Sequence, residues 1–358
     1  MRVAYTLEQC WHRVPGGTGI AAIEVGKELL HMSDIDMVGV AGRHARPPTN
    51  GFQPPMPTAF LPLGRPLLYE SWLYLKWPKV ESVVERADIV HATTIIPPAT
   101  SLPLVSTIHD VAFLHHPEFF TSRGNRFFRK SLSIVQQKAD LLLCSSLATM
   151  NDCLNVGIDA SRLRHVPLGV TIHDVTDEDR QRVRQSYSLP SEFVLFVGTL
   201  EPRKNLARLI DALQTLDNAP PLVVVGMEGW GDSGVDTSHD VRFTGFVPAH
   251  DLPALYASCS VFAFPSLLEG YGLPVIEAMA HGAPVVTSRG TSTEEVAGGA
   301  AQLVDPLNVE SIAHGISVAL ASGDELRVRG IARARECTWQ ATAEKTAHAY
   351  REVLGISE

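Results

Sequence analysis

Eleven short apolar runs, set apart by longer stretches of helical periodicity, constrain this 358-residue chain more than any other feature. Five fall in the first half: 2–6 (RVAYT), 36–41 (DMVGVA), 89–93 (IVHAT), 103–108 (PLVSTI) and 141–145 (LLLCS). Six fall in the second: 193–198 (FVLFVG), 222–226 (LVVVG), 241–245 (VRFTG), 260–265 (SVFAFP), 284–287 (PVVT) and 301–304 (AQLV). A strand with one face in water alternates apolar and polar residues. These runs are apolar at nearly every position, as strands buried on both faces are. Such strands belong to parallel sheets covered by helices. The expected class is α/β, with two Rossmann-like, doubly wound domains, and the length suffices for two separate cores.

The boundary is expected near Val166-Pro167-Leu168-Gly169, giving domains over residues 1–168 and 169–338. Just beyond it, Thr176 and Asp179 stand in capping-box positions at the start of a helix running toward Ser186. Residues 339–354 are helical in pattern with no strand after them; this segment can pack on either domain, the first included.

Composition excludes several classes. Apolar residues make up 45% and charged residues 19%, as in a soluble globular protein and unlike a disordered one. No apolar run approaches the roughly 18 residues of a membrane span, and the first residues read as a strand with no signal-peptide pattern. The five cysteines are odd in number, scattered and free of CxxC pairs, which fits a reduced cytoplasm and neither a disulfide framework nor a zinc site. The net charge of −9 is unevenly spread: residues 1–165 carry 16 Lys and Arg against 14 Asp and Glu, whereas residues 166–358 carry 14 against 25. An acidic chain is a poor nucleic-acid binder, so no nucleic-acid partner is expected. The near-neutral first half still permits contact with an anionic surface.

In doubly wound sheets ligands lie beyond the carboxyl ends of the strands, and two constellations stand there. Gly198-Thr199-Leu200-Glu201-Pro202-Arg203-Lys204-Asn205 leaves one strand and enters a helix, with Asn205 read as its N-cap. A helix N-terminus offers free N–H groups and partial positive charge, and Arg203 and Lys204 concentrate more charge where a diphosphate would sit. An isolated Arg-Lys pair is more often a solvated turn. The second constellation runs from Phe264 to Ala280. Here Glu269 lies in a glycine-bearing loop, and Pro274 suits a helix start that carries Glu277 eight positions later. One carboxylate suits a sugar ring and the other a ribose, while Gly270 and Gly272 let backbone N–H groups approach phosphate or hydroxyl oxygens.

Together these segments resemble the retaining glycosyltransferases of family 4, whose E-x7-E motif matches Glu269 to Glu277 and whose phosphate clamp is similar to EPRKN. Val296–Ala301 and Val304-Asp305-Pro306 resemble the family too, and one departure from it is Glu294, where a proline often stands. The resemblance is close over 190–310 and looser before. It implies a GT-B fold, two Rossmann-like domains facing a cleft, and hexose transfer from a nucleotide-diphosphate sugar to a glycan, lipid-linked or small-molecule acceptor. Arg203 and Lys204 would hold the diphosphate, Glu277 the ribose hydroxyls and Glu269 the donor hexose. Backbone around Gly270, Tyr271, Gly272 and Leu273 would bind sugar and phosphate, and Val247 would lie by the base. His109, at a strand end in Thr107-Ile108-His109-Asp110, would stand against the donor sugar; outside this resemblance a lone histidine there is more often structural. No cofactor and no metal ion are implied, because Arg and Lys neutralise the leaving group. The look of EPRKN leans weakly toward GDP-mannose. No carboxylate stands out as a nucleophile, so front-side attack is expected, with the departing phosphate taking the acceptor proton.

Three further segments carry less. Gly17, Gly19 and Ala22 spell G-x-G-x-x-A, which keeps an NAD(P)-dependent oxidoreductase in view. The loop lies too far behind the first strand for a Rossmann turn, however, and Gly16 and Gly17 are read as donor- and acceptor-facing. Asp34-Ile35-Asp36 has the spelling of a metal-binding DxD but opens a strand. Arg123, Arg126, Phe127, Phe128, Arg129 and Lys130 form a basic, aromatic stretch that is either a solvated helix face or a peripheral contact with the inner face of a membrane. A non-catalytic nucleotide-sugar-binding protein is the remaining alternative.

Overall fold

The computed structural model describes residues 1–13, 15–226 and 239–356. The chain divides into two compact units, Met1–Gly169 with Trp339–Glu358, and Val170–Thr338. The first is built on β1 (Arg2–Thr6), β2 (Asp36–Ala41), β3 (Thr58–Phe60), β4 (Ile89–Ala92), β5 (Leu104–Ile108), β6 (Leu141–Cys144) and β7 (Leu163–His165), in the order β3-β2-β1-β4-β5-β6-β7. The second is built on β8 (Val194–Val197), β9 (Leu222–Val225), β10 (Val241–Gly245), β11 (Val261–Phe264), β12 (Val285–Ser288) and β13 (Gln302–Val304), in the order β10-β9-β8-β11-β12-β13. Every ladder in both sheets is parallel.

Central strands are buried on both faces: all four residues of β4, β6, β9, β11 and β12 are inside. Two strands escape the sequence pattern, β3 and β7, at opposite edges of the first sheet. Each has three residues and is partly exposed, so neither shows the continuous apolar run that marks an interior strand.

The order reverses between β1 and β4 in the first sheet and between β8 and β11 in the second. Chain leaving the carboxyl ends at such a reversal diverges to opposite sides and opens a crevice. The capping box forms as read: Thr176 accepts from Asp179 N and Asp179 accepts from Thr176 N at the start of the helix Asp177–Ser186.

The last helix, Trp339–Leu354, belongs to the first unit. It packs along the helix Gly16–Leu30, with Trp339, Ala343, Ala347 and Tyr350 buried. Tyr350 OH lies 2.6 Å from His91 Nδ1, Thr342 Oγ1 donates to Pro167 O at 2.8 Å, and Arg351 pairs with Asp34 at 2.9 Å. Asp36 pairs with Arg2 at 3.4 Å. Both carboxylates of the DxD spelling therefore serve ion pairs at the amino end of β2. Among the described residues no helix is long and apolar enough to cross a membrane.

Candidate active site

The loops that leave β8 and β11 meet at the reversal of the second sheet. Pro202–Lys204 form one turn of 3-10 helix, and Asn205 follows with φ 62° before the helix Leu206–Gln214. Asn205 stands at the N-cap position, but its side chain does not cap that helix. Its Nδ2 donates to Pro265 O at 2.9 Å and to Pro306 O at 2.6 Å, tying the loop after β8 to those after β11 and β13. Asn favours the cap position, which is what the sequence alone suggests for this buried amide. Its longer-range partners leave no local signature.

The tie brings three of the candidate residues into direct contact. Lys204 Nζ donates to Glu269 Oε1 at 2.6 Å and sits 4.7 Å from the centre of the Phe264 ring. Arg203 donates from Nη1 to Glu269 Oε2 at 3.0 Å and from Nε to Glu201 Oε2 at 2.7 Å. The Ser266 hydroxyl, fully buried, donates to Glu269 Oε1 at 2.8 Å, and Ser292 Oγ holds Glu269 O at 2.7 Å. The Glu269 and Lys204 side chains are only 9% and 8% exposed, against 22% for Arg203. Arg203 thus keeps more of its surface available. Burial alone would raise the Glu269 carboxyl, but Lys204 and Arg203 outweigh it and hold the group down at about 2. Burial in turn lowers Lys204, against the pull of Glu269.

Glu269–Gly272 leads into the helix Leu273–Ala280, with Pro274 in its first turn. Gly272 has φ +106°, and a Cβ there would lie 2.7 Å from Thr293 Cγ2, so the tight entry requires glycine. A similar need holds behind β9, where a Cβ on Gly226 would meet Gly198 O at 1.9 Å. Glu277 lies on the helix, accepts from Tyr256 OH at 3.1 Å, and has its carboxyl raised by burial. Gly270 and Leu273 are buried. The Tyr271 side chain is buried against Cys337. Val247 lies after β10 and is 5% exposed. Tyr256, Ser266, Ser292 and Glu201 complete the network. Ser266 and Glu201 fall inside the two motifs, whereas Tyr256 and Ser292 reach the site only through tertiary packing.

His109, Gly16 and Gly17 belong to the first unit. His109 follows β5; its Nε2 lies 3.2 Å from Thr93 O. A carbonyl can only accept, so the proton is on Nε2 and Nδ1 is left as an acceptor. Burial lowers the pKa of the imidazole and keeps it neutral. Its own carbonyl accepts from Ser145 Oγ and Thr149 Oγ1, at 3.1 and 3.0 Å, which fixes the backbone. Gly16 and Gly17 are exposed at the start of the helix Gly16–Leu30, and Gly16 has φ +62°. Between β1 and this helix the residues Glu8–Trp11 form a 3-10 turn, where a dinucleotide fold has one tight loop.

Two doubly wound units, with cations and glutamates gathered where one sheet reverses, define a glycosyltransferase of the two-domain GT-B type. Residues 15–174 match the model described as Glycosyltransferase Family 4, and residues 177–337 that of Glycosyl transferases group 1. O-antigen chain mannosyltransferase B of Escherichia coli is 31% identical over 308 residues, covering 80% of this chain and 81% of that one. A GDP-mannose-dependent alpha-(1-6)-phosphatidylinositol monomannoside mannosyltransferase of Mycolicibacterium smegmatis is 30% identical over 225 residues, 57% of this chain and 59% of that one. In fold, the Anabaena protein Alr3699/HepE, solved in complex with UDP and glucose, matches with a TM-score of 0.74 at 20% identity, over 98% of this chain and 100% of that one. The chain belongs to glycosyltransferase family 4.

Proposed function

We propose that the protein transfers mannose from GDP-mannose to a glycan hydroxyl on a lipid-linked acceptor, with retention of configuration, at the inner face of a membrane. In this reading residues 169–338 bind the nucleotide sugar and residues 1–168 receive the acceptor. The single observation that carries it is the triad Arg203, Lys204 and Glu269, bonded together at the point where sheet order reverses. The mannosyl specificity rests on the relatives named above, two of them mannosyltransferases and one GDP-mannose-dependent by name.

Arg203 and Lys204 hold the donor diphosphate and stabilise the charge that grows on it as the anomeric C–O bond breaks. Backbone N–H groups from Gly270 to Leu273 add to that field at the helix N-terminus. Glu277 binds ribose hydroxyls, Val247 offers its backbone to the base, and Nδ1 of His109 accepts a hydroxyl of the transferred sugar. Gly16 and Gly17 contact donor and acceptor. Glu269 is a poor nucleophile, since both its oxygens are hydrogen-bonded and its carboxyl is held at about 2. Retention then proceeds on one face: the acceptor oxygen bonds to the anomeric carbon as the phosphate oxygen leaves, and that phosphate takes the acceptor proton. No metal ion or cofactor enters this scheme.

A thermal-shift panel of UDP, GDP, ADP and their sugars tests the donor, because a ligand of the native state raises the melting temperature by mass action. The expected result is a shift with GDP and GDP-mannose that exceeds the others. A larger shift with UDP-glucose replaces the donor, and no shift with any of them removes the proposal.

A further inference from the structure

The first unit carries an apolar projection that neither its core nor the site accounts for. In the short helix Leu67–Tyr74, Leu68, Trp72 and Leu73 are buried, while Leu67 and Tyr74, seven residues apart and therefore on one side, are 66% and 60% exposed. Behind the helix, Leu75 is 72% and Trp77 52% exposed. This tip is held in place: Ser71 Oγ donates to Trp77 O, and the buried Trp72 donates from Nε1 to Pro78 O at 2.9 Å. The interior anchors the turn by its backbone and leaves Leu75, Lys76 and Trp77 outside. Four large apolar side chains displayed within eleven residues are an unusual cost for a protein surface facing only water.

Positive charge adjoins the projection. The helix Ser122–Lys138 packs against it through Tyr69 and Phe127, whose ring centres are 6.1 Å apart, and Arg123 bonds to Glu70 at 2.8 Å. Arg123, Arg126 and Lys130 fall at i, i+3 and i+7, all exposed, and the helix contains no Asp or Glu. Lys76 and Lys79, also exposed, lie within the projection itself. Apolar and aromatic side chains flanked by cations are what an anionic bilayer surface receives: Leu enters the acyl boundary, Trp and Tyr sit at headgroup depth, and Lys and Arg meet lipid phosphates.

We propose that the tip Leu75–Trp77, with Leu67 and Tyr74, inserts into the surface of an anionic phospholipid bilayer, and that Arg126, Lys130, Lys76 and Lys79 bind its headgroups. This deepens the proposed function and rests on it only for the membrane location, since it names the surface that would meet that membrane; its test needs neither donor nor acceptor. The full-length protein is sedimented with vesicles of phosphatidylcholine alone and of phosphatidylcholine with one-third phosphatidylglycerol. Binding to the phosphatidylglycerol vesicles, weak binding to neutral ones, and release at about 1 M salt are expected. Arg126→Ala with Lys130→Ala is expected to weaken binding about 25-fold, from roughly five-fold per cation. Leu75→Ser with Trp77→Ser is expected to weaken it at least about ten-fold. Melting temperatures of both variants should stay at the wild-type value, since the changed side chains are exposed. Equal binding to both vesicle types, no binding to either, or full binding by both variants overturns the proposal. So does a wild-type dimer in sedimentation that Leu75→Ser/Trp77→Ser converts to monomer, since the tip would then be covered by a second copy. A protein that binds vesicles yet responds to no nucleotide leaves this inference standing and contradicts the enzymatic reading alone.

Discussion

Glu269 and Glu277 stand eight positions apart, yet their carboxyls are driven in opposite directions. Glu269 meets two cations and a hydroxyl, which overcome its burial and pull it to about 2. Glu277 has one phenol as partner, and burial prevails, raising it. The signs have opposite consequences for stability. A depressed carboxyl contributes stability above its unfolded value, and Glu269 loses that contribution as pH falls toward about 2. A raised carboxyl contributes below its unfolded value, and Glu277 loses that contribution as pH rises through its folded value. Glu277→Gln, permanently neutral and still able to accept from Tyr256, should therefore melt above wild type at about pH 8. The difference should close as pH falls toward about 4, where wild type is itself protonated. A variant that melts below wild type at the higher pH contradicts this. On the proposed ribose-binding role of Glu277, the nucleotide response of Glu277→Gln should weaken even as stability rises, a trade between function and stability.

At the scale of elements, legibility followed burial. Interior strands such as β9 and β11 announce themselves as unbroken apolar runs, and the helix Trp339–Leu354 as a long periodic one. The edge strands β3 and β7 do not, because three residues, most of them partly exposed, carry no periodicity. Within the site, Arg203, Lys204 and Glu269 could be singled out because their charge sits in glycine- and proline-bearing segments at strand ends. What joins them was not visible: Asn205 reaching two distant carbonyls, and Ser292 and Tyr256 arriving from other elements, are products of packing. At Gly272 the sequence pattern points to close approach of a ligand, and packing adds a steric need of its own. Gly272→Ala forces a side chain into a φ of +106° and against Thr293 Cγ2, whose residue is itself held by Thr287 Oγ1 at 2.8 Å. A loss of about 1–3 kcal/mol is expected from the backbone alone, read as a lower urea midpoint. Adding Thr293→Ser, which removes the methyl, should recover the packing part only. Full recovery, or a Gly272→Ala protein as stable as wild type, contradicts the strained entry.

At the scale of the molecule, the chain closes its first unit with its last helix. Tyr350, fully buried, supplies the hydroxyl beside His91 Nδ1, and His91 Nε2 lies 2.8 Å from Thr107 Oγ1. Burial lowers His91 to about 3, so this is a neutral network. Tyr350→Phe leaves a buried ring nitrogen without that partner and should cost about 1–3 kcal/mol, measured by chemical unfolding. The nucleotide-induced thermal shift should survive if, as proposed, the other unit holds the donor; its disappearance contradicts that assignment. Turnover bears on the central claim, that Arg203 and its neighbours stabilise a departing nucleoside diphosphate. The most direct measurement is kcat/KM for nucleotide release from GDP-mannose by wild type and Arg203→Ala. A fall of about 100-fold or more, with the fold preserved by circular dichroism, is predicted from the loss of one electrostatic stabiliser; turnover equal to wild type contradicts it.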